Sequence, residues 1–289
     1  VDVVAGGYFG PHVHWYKNPG QPGLEKGWKW KEHLLRDLSS DGIGNKETMA
    51  LNDFDGDGKP ELFVSLWSPK LPVIAWKIET AGKELPSLKG HKIGEQGGGH
   101  GYGFGDVNGD GRQDVVTTRG WYEQPAGDPW AGPWKLHPET AIPFGASCPF
   151  LVVDLTGNGR GDLILSKAHS YGIYWWEQGE PKADGTTAWT EHLIDDSWSQ
   201  AHCLAWADLD GDGLGELITG KRVRPHNGKD PGGTEPECLY YYIWDRTGRK
   251  FVRHTISPPG GGVGSGMHIR VADLNDNGRL DIVVAGKTG

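Results

Sequence analysis

Apolar and polar residues alternate along this chain in short runs, as in HCLAWA before an Asp/Asn/Gly-rich turn and DLILS or DIVVAG after one. A two-residue period with β-branched content is the mark of half-buried strands. Nowhere does an apolar stripe recur at the 3.6-residue spacing of an amphipathic helix, so the pattern predicts an almost helix-free, all-β protein. The turn itself repeats. NDFDGDGKPELFV, GDVNGDGRQDVVT, VDLTGNGRGDLIL, ADLDGDGLGELIT and ADLNDNGRLDIVV are five copies of one motif, with first aspartates Asp53, Asp106, Asp154, Asp208 and Asp273. Their spacing leaves room for four short strands per period.

Each period reads in the same order. An apolar strand A enters the acidic turn and a β-branched strand B leaves it. An aromatic strand C follows (HVHWYKN, PVIAWKIE, GWYEQ, GIYWWEQ, LYYYIWD), and a strand D carries a histidine: His33, His91, His137, His192 or His254. Turn-rich joins between alternating strands predict antiparallel pairing within each unit. The expected fold is a β-propeller of four-stranded antiparallel blades with the acidic turns joining A to B. Residues 1–289 form one domain of about six blades in this reading, cut mid-repeat at both ends, so that a longer chain would close the ring with a seventh.

The turns have the form D-x-[DNT]-x-[DN]-G-x-x-[DE], with oxygen-bearing side chains at positions 1, 3, 5 and 9. Hard oxygen ligands at alternate positions and a glycine for the sharp turn are what a six- to eight-coordinate Ca²⁺ requires. The acid falls at position 9, not the 12 of an EF-hand, and the flanks are strands. One such turn could be an ordinary Asx turn; five in one register point to metal. Asp53, Asp55, Asp57 and Glu61 offer four carboxylates, as do Asp208, Asp210, Asp212 and Glu216. Asp106, Asn108, Asp110 and Asp114 offer three. Asp154, Thr156, Asn158 and Asp162 offer two, as do Asp273, Asn275, Asn277 and Asp281. Affinity should follow that order.

The formal net charge of -9 then carries little information about partners, because 15 of the 38 acids are assigned as ligands in these turns. Neither nucleic acid nor an anionic membrane is implied, and no apolar run approaches a membrane span. The three cysteines are odd in number and widely spaced, without a zinc or disulfide pattern.

These loops resemble the FG-GAP or VCBS repeats of integrin-type propellers. GPHVHWYKNPG, GGGHGYGFGDVNGDG, SQAHCLAWADLDGDG and GSGMHIRVADLNDNGRLDIVVAGK are more narrowly similar to the propeller domain of aldos-2-ulose dehydratase and its bacterial relatives. That resemblance implies a lyase acting on oxidised sugars, with metal in the propeller; the cupin-like domains of that family have no counterpart here.

Strand A runs toward the acidic turn, so its start, the end of B and the end of D are expected on the opposite face. Setting aside the five strand-D histidines, which read as structural, His12, His14, His100, His169, His202, His226 and His268 are assigned to that face. Six residues before the loop aspartates stand Glu47, His100, Cys148, His202 and Met267. Strand A is innermost in a propeller, so Glu47, His100 and His202 are expected to converge on a Zn²⁺ or another divalent metal, with His268 in reserve. The plainer alternative is a wet, polar channel. Trp67, Arg119, Lys167, Lys221 and Arg222 add to this rim, with Tyr8, Trp121 and Tyr171 as aromatic surface for a sugar. For a β-elimination, His169 or His14 would be the base and Arg119 or Lys167 the enolate stabiliser. Cys148 and Cys203 are expected to pack. No nucleotide, redox-cofactor or serine-hydrolase motif is present.

Two functions follow: a carbohydrate lyase or dehydratase with structural calcium, or a non-catalytic propeller that binds glycan or protein through calcium-dependent loops. An extracellular or periplasmic location is expected, because weak calcium loops fill only at ~10⁻⁴ to 10⁻³ M Ca²⁺.

Overall fold

A computed structural model describes residues 2–286 except Trp67, Pro69, Ala81, Lys83, Glu84 and Gly98; Trp67, assigned above to the rim, thus lies outside the described residues. The fold is all-β, built from four-stranded antiparallel blades of the propeller type, with one short α-helix, α1 (Gly20–Glu25), among the described residues. Chain contacts divide it into two compact units, residues 1–99 with 125–135, and residues 100–124 with 136–289.

In the first unit β1 (Val3–Ala5), β2 (His12–Lys17) and β3 (Lys31–Asp37) form a three-stranded sheet. β4 (Lys46–Asn52), β5 (Glu61–Leu66), β6 (Val73–Glu79) and β7 (Ser87–Gly94) form a complete blade. Val13, Leu62, Val64, Trp76 and Leu88 are buried in one core between these sheets. The segment 125–135 joins this unit through Trp134, whose backbone N–H donates to the Ile93 carbonyl at 2.7 Å.

The second unit opens with two blades fused into one eight-stranded sheet. The first comprises β8 (Tyr102–Gly105), β9 (Asp114–Thr117), β10 (Gly120–Glu123) and β11 (Lys135–His137). The next comprises β12 (Phe150–Val153), β13 (Asp162–Ser166), β14 (Tyr171–Pro181) and β15 (Thr187–Ser199). Their A strands join them, β8 running parallel to β12 with Gly103 opposite Phe150. Glycine is required at that contact, since a Cβ on Gly103 would lie 2.7 Å from the Phe150 carbonyl oxygen. A further blade comprises β16 (Leu204–Ala207), β17 (Glu216–Gly220), β18 (Leu239–Asp245) and β19 (Lys250–Ser257). β20 (Ile269–Ala272) and β21 (Asp281–Val284) form a final pair. The element order is therefore B-C-D, four times A-B-C-D, then A-B, as the repeat predicts.

The strand-D histidines have a packing role. Trp15 pairs across the sheet with His33, Trp175 with His192 and Tyr241 with His254. Each imidazole stacks on its partner ring, at 5.0, 4.2 and 4.9 Å between centroids. Trp121 and His137 stack at 4.0 Å. In the blade of β4–β7 the position opposite His91 is Ala75, and His91 meets Trp130 instead, at 4.9 Å. Trp121 is therefore not the surface platform expected above: stacking on His137 leaves it 4% exposed.

Candidate metal centres

The five acidic turns are superimposable in their hydrogen bonding. The first aspartate accepts from the backbone N–H of the position-6 glycine in every copy: Gly58 at 2.9 Å, Gly111 at 2.7, Gly159 at 2.8, Gly213 at 3.0 and Gly278 at 2.7. Those glycines have φ of 80, 84, 83, 87 and 79°, a left-handed backbone that side chains with a Cβ rarely adopt. The position-9 acid accepts from the N–H of position 2, as in Phe54 to Glu61 at 3.1 Å and Leu209 to Glu216 at 2.7 Å. In Asp114 and Asp162 the second oxygen also accepts a backbone N–H, from Gln124 at 2.9 Å and Gln178 at 2.8 Å.

Side-chain oxygens gather within 4.8 Å of one another at Asp53, Asp55 and Asp57 and at Asp208, Asp210 and Glu216. These are the two carboxylate-rich loops, and their donor set suits Ca²⁺. Their surroundings differ. Glu61 faces Lys77 in the neighbouring strand, and the Lys77 ammonium pairs with Asp55 and lies 3.7 Å from Glu61. Trp130 also donates its indole N–H to Asp55 at 2.7 Å. At the equivalent point in the β16–β19 blade, Leu217 pairs with Tyr242, which sets uncharged Ile243 beside Glu216. The ranking by carboxylate count therefore overlooks a tethered cation that stands in the first loop. Burial pushes Asp114 up to about 7 and Asp162 up to about 6.

At the opposite ends of the A strands of the second unit, His100, His169 and His202 bring their ring nitrogens together. His100 Nε2 lies 3.0 Å from His169 Nε2 and 3.0 Å from His202 Nε2. His100 and His202 precede β8 and β16, whereas His169 comes from the turn after β13. The tautomers follow from the other ring nitrogens. His100 Nδ1 is 2.6 Å from the Ala146 carbonyl oxygen, which only accepts, so Nδ1 carries the proton. His169 Nδ1 is 2.9 Å from Asp230 Oδ2, and the same reasoning applies. Both Nε2 atoms therefore present lone pairs to each other at 3.0 Å, an arrangement that is repulsive unless a cation lies between them. A proton is disfavoured, because burial, followed by the neighbouring His100, brings His169 down to about 4. Three imidazoles around one zinc at ~2.0–2.1 Å set their nitrogens about 3.3 Å apart, a few tenths of an ångström from the distances seen.

Of the residues predicted for this centre, the structure brings His100 and His202 together and adds His169, which sequence register had marked as a base. Glu47 lies in the first unit, on β4, and is not among the residues of this group; nor is His268. His14 is also in the first unit, inside β2 rather than in a connection, and pairs with Glu32. Lys167 holds its ammonium over the Phe144 and Tyr174 rings, at 5.5 and 5.2 Å. Arg119 sits in the β9–β10 turn, its backbone N–H on Thr117 Oγ1. Lys221, expected as a rim charge, is 1% exposed and clamps Ser199 and the Gly232 carbonyl. Cys148, Cys203 and Cys238 are free, buried thiols, and burial pushes Cys203 up to about 11, so they pack. Asp230 and His226 had no repeat register to mark them. They come from the long connection between β17 and β18, where His226 Nδ1 meets Asp230 at 3.0 Å and its ring stacks on His169 at 4.8 Å.

Residues 53–117 and 154–219 match the family model for the FG-GAP-like repeat. These two segments are similar to the FG-GAP-like repeat. The two FG-GAP-like segments contain the loops at Asp53, Asp106, Asp154 and Asp208, and each runs into the B strand beyond its second loop. No curated protein matches the chain. Among solved structures, the crystal structure of the V. cholerae biofilm matrix protein Bap1 is similar at 15% identity and a TM-score of 0.44, over 94% of this chain and 37% of that one. The chain thus spans little more than a third of that protein's length. No helix among the described residues is long and apolar enough to cross a membrane.

Proposed function

We propose that this chain is a carbohydrate-acting carbon–oxygen lyase in which His100, His169 and His202 hold a divalent metal, zinc by ligand chemistry, while the acidic turns hold structural calcium. The observation that carries this reading is the pair of lone-pair nitrogens facing each other at 3.0 Å with their tautomers set from behind. The similarity of the A-strand segments to aldos-2-ulose dehydratase supports the substrate class. Bound there, zinc would polarise a carbonyl oxygen and stabilise the enolate of a β-elimination. The chain's own part is then to hold the sugar and move its proton. His226 is an exposed imidazole stacked beside the centre and suits the base, since His169 would be engaged as a ligand. Lys167 and Arg119 supply cationic rim for an acidic or oxidised sugar.

The test is metal analysis after mild chelation, with ultraviolet detection of unsaturated product on a panel of oxidised sugars and uronides. Zinc retained beside removable calcium, with product formed, is the expected result. Absence of both would leave a calcium-dependent glycan- or protein-binding propeller. An extracellular or periplasmic location belongs to this proposal, and full calcium occupancy at submicromolar Ca²⁺ would remove its basis.

A further inference from the structure

The connection between β17 and β18 is held in an unfavourable backbone. Arg224, His226 and Asn227 have φ of 52, 45 and 61°, a left-handed region that is costly for residues with a Cβ and persists only where the surroundings impose it. The surroundings here are specific. The buried Lys221 ammonium donates to the Gly232 carbonyl at 2.7 Å. Gln200 Nε2 donates to the Pro231 carbonyl at 2.9 Å, and the Tyr171 hydroxyl donates to Glu235. These three anchors fix the chain just beyond one side chain, Asp230. Its Oδ2 lies 2.9 Å from His169 Nδ1, and both its oxygens lie 3.0 Å from His226 Nδ1.

We infer that Asp230 is the positioning residue of the three-histidine centre, a carboxylate that fixes the tautomer and raises the basicity of His169 so that Nε2 is a metal ligand. The inference rests on the three-histidine reading above. A carboxylate behind a ligating imidazole is the arrangement that orients the ring and strengthens its donor nitrogen. In the corresponding place His100 Nδ1 meets the neutral Ala146 carbonyl at 2.6 Å and the Cys148 thiol at 3.8 Å. Asp230 thus places a charged group behind Nδ1 of His169, and the strained connection is the means of delivering it. His226 shares the carboxylate and, with His169 and Asp230, forms a second group whose ligand atoms lie within 4.8 Å of one another, but it holds no nitrogen in the group of His100, His169 and His202.

The experiment is cobalt(II) and zinc titration of the calcium-loaded protein, following the cobalt d–d spectrum and competition with a chromophoric chelator. Asp230→Asn, near-isosteric, should weaken binding ~10- to 100-fold and alter the cobalt spectrum, with calcium content and circular dichroism unchanged. Asp230→Glu should recover part of the loss, and His226→Ala should change affinity less than about threefold, well below the loss of an outer-shell carboxylate. Asp230→Asn binding within twofold of the parent, or Asn and Glu variants that are equally weak, would overturn the role. If the parent binds no cobalt, or if His100→Ala leaves binding unchanged, the three-histidine reading itself fails and this inference with it.

Discussion

The Lys77 ammonium stands 3.7 Å from the carboxylate of Glu61, the acid that closes the first acidic turn. No cation occupies the matching point beside Glu216, where β18 places Ile243. A positive charge at that distance opposes a divalent ion and partly replaces it.

Calcium affinity should therefore be higher at the Asp208 loop than at the Asp53 loop, although both carry four carboxylates. Lys77→Met should raise affinity at the Asp53 loop by about tenfold, equivalent to about 1.4 kcal/mol, and make the apo protein easier to melt. Calorimetric titration of the variant against Asp210→Ala checks both. Equal affinities in parent and variant would mean that Lys77 does not compete.

Chelation should lower the melting temperature, since ions that bind only the folded loops stabilise it by ~2.7 kcal/mol per site at a hundredfold excess over Kd. Asp210→Ala should destabilise more than Thr156→Ala or Asn275→Ala at matched calcium. Indistinguishable melts with and without chelator, with metal loss verified, would reduce the loops to turns.

His100→Ala should remove transition-metal binding and lyase turnover and leave calcium content intact. Elemental analysis read beside product formation makes the comparison. Full turnover in this variant would shift the chemistry away from the three histidines.

Trp175→Ala should cost ~3–5 kcal/mol, the usual penalty for truncating a buried aromatic, because the ring is 2% exposed and stacked on His192. Denaturant unfolding measures it. His192→Ala should cost less, being half exposed, and neither change should alter transition-metal affinity. A metal defect in either variant would mean that strand-D histidines do more than pack.

Asp195 should make folding sensitive to acid. Burial raises its pKa, but hydrogen bonds from Ser197, from the Tyr242 hydroxyl and the charge of Arg253 more than offset this and hold it below the usual carboxylate range. Its stabilisation is then present above the unfolded value of about 3.9 and is lost as pH falls through the lower folded value. Asp195→Asn should be less stable at neutral pH and flatten the stability curve below about pH 4. An unchanged acid limb would show that another carboxylate dominates it.

The chain's own pattern determined the strand order, the five acidic turns and the B-C-D, A-B-C-D, A-B phase, because a period-two alternation and an Asp/Gly turn are local properties that recur with each blade. It also separated His33, His91, His137, His192 and His254 as structural, since equal register in a repeat favours equal neighbours, although His91 meets Trp130 and not a ring of its own blade. Register likewise found His100 and His202, which begin equivalent A strands. Tertiary structure decided the remainder. His169, which the repeat placed on this face, turns its Nε2 toward His100 only in the folded chain, and Asp230 arrives from the long β17–β18 connection with no repeat position to betray it. Lys77 is a single cross-strand neighbour of Glu61, visible only once β5 and β6 are in register. Side-chain direction and cross-chain distance are set by how loops are anchored, as Lys221 anchors the Asp230 segment, and the one-dimensional pattern holds no record of that.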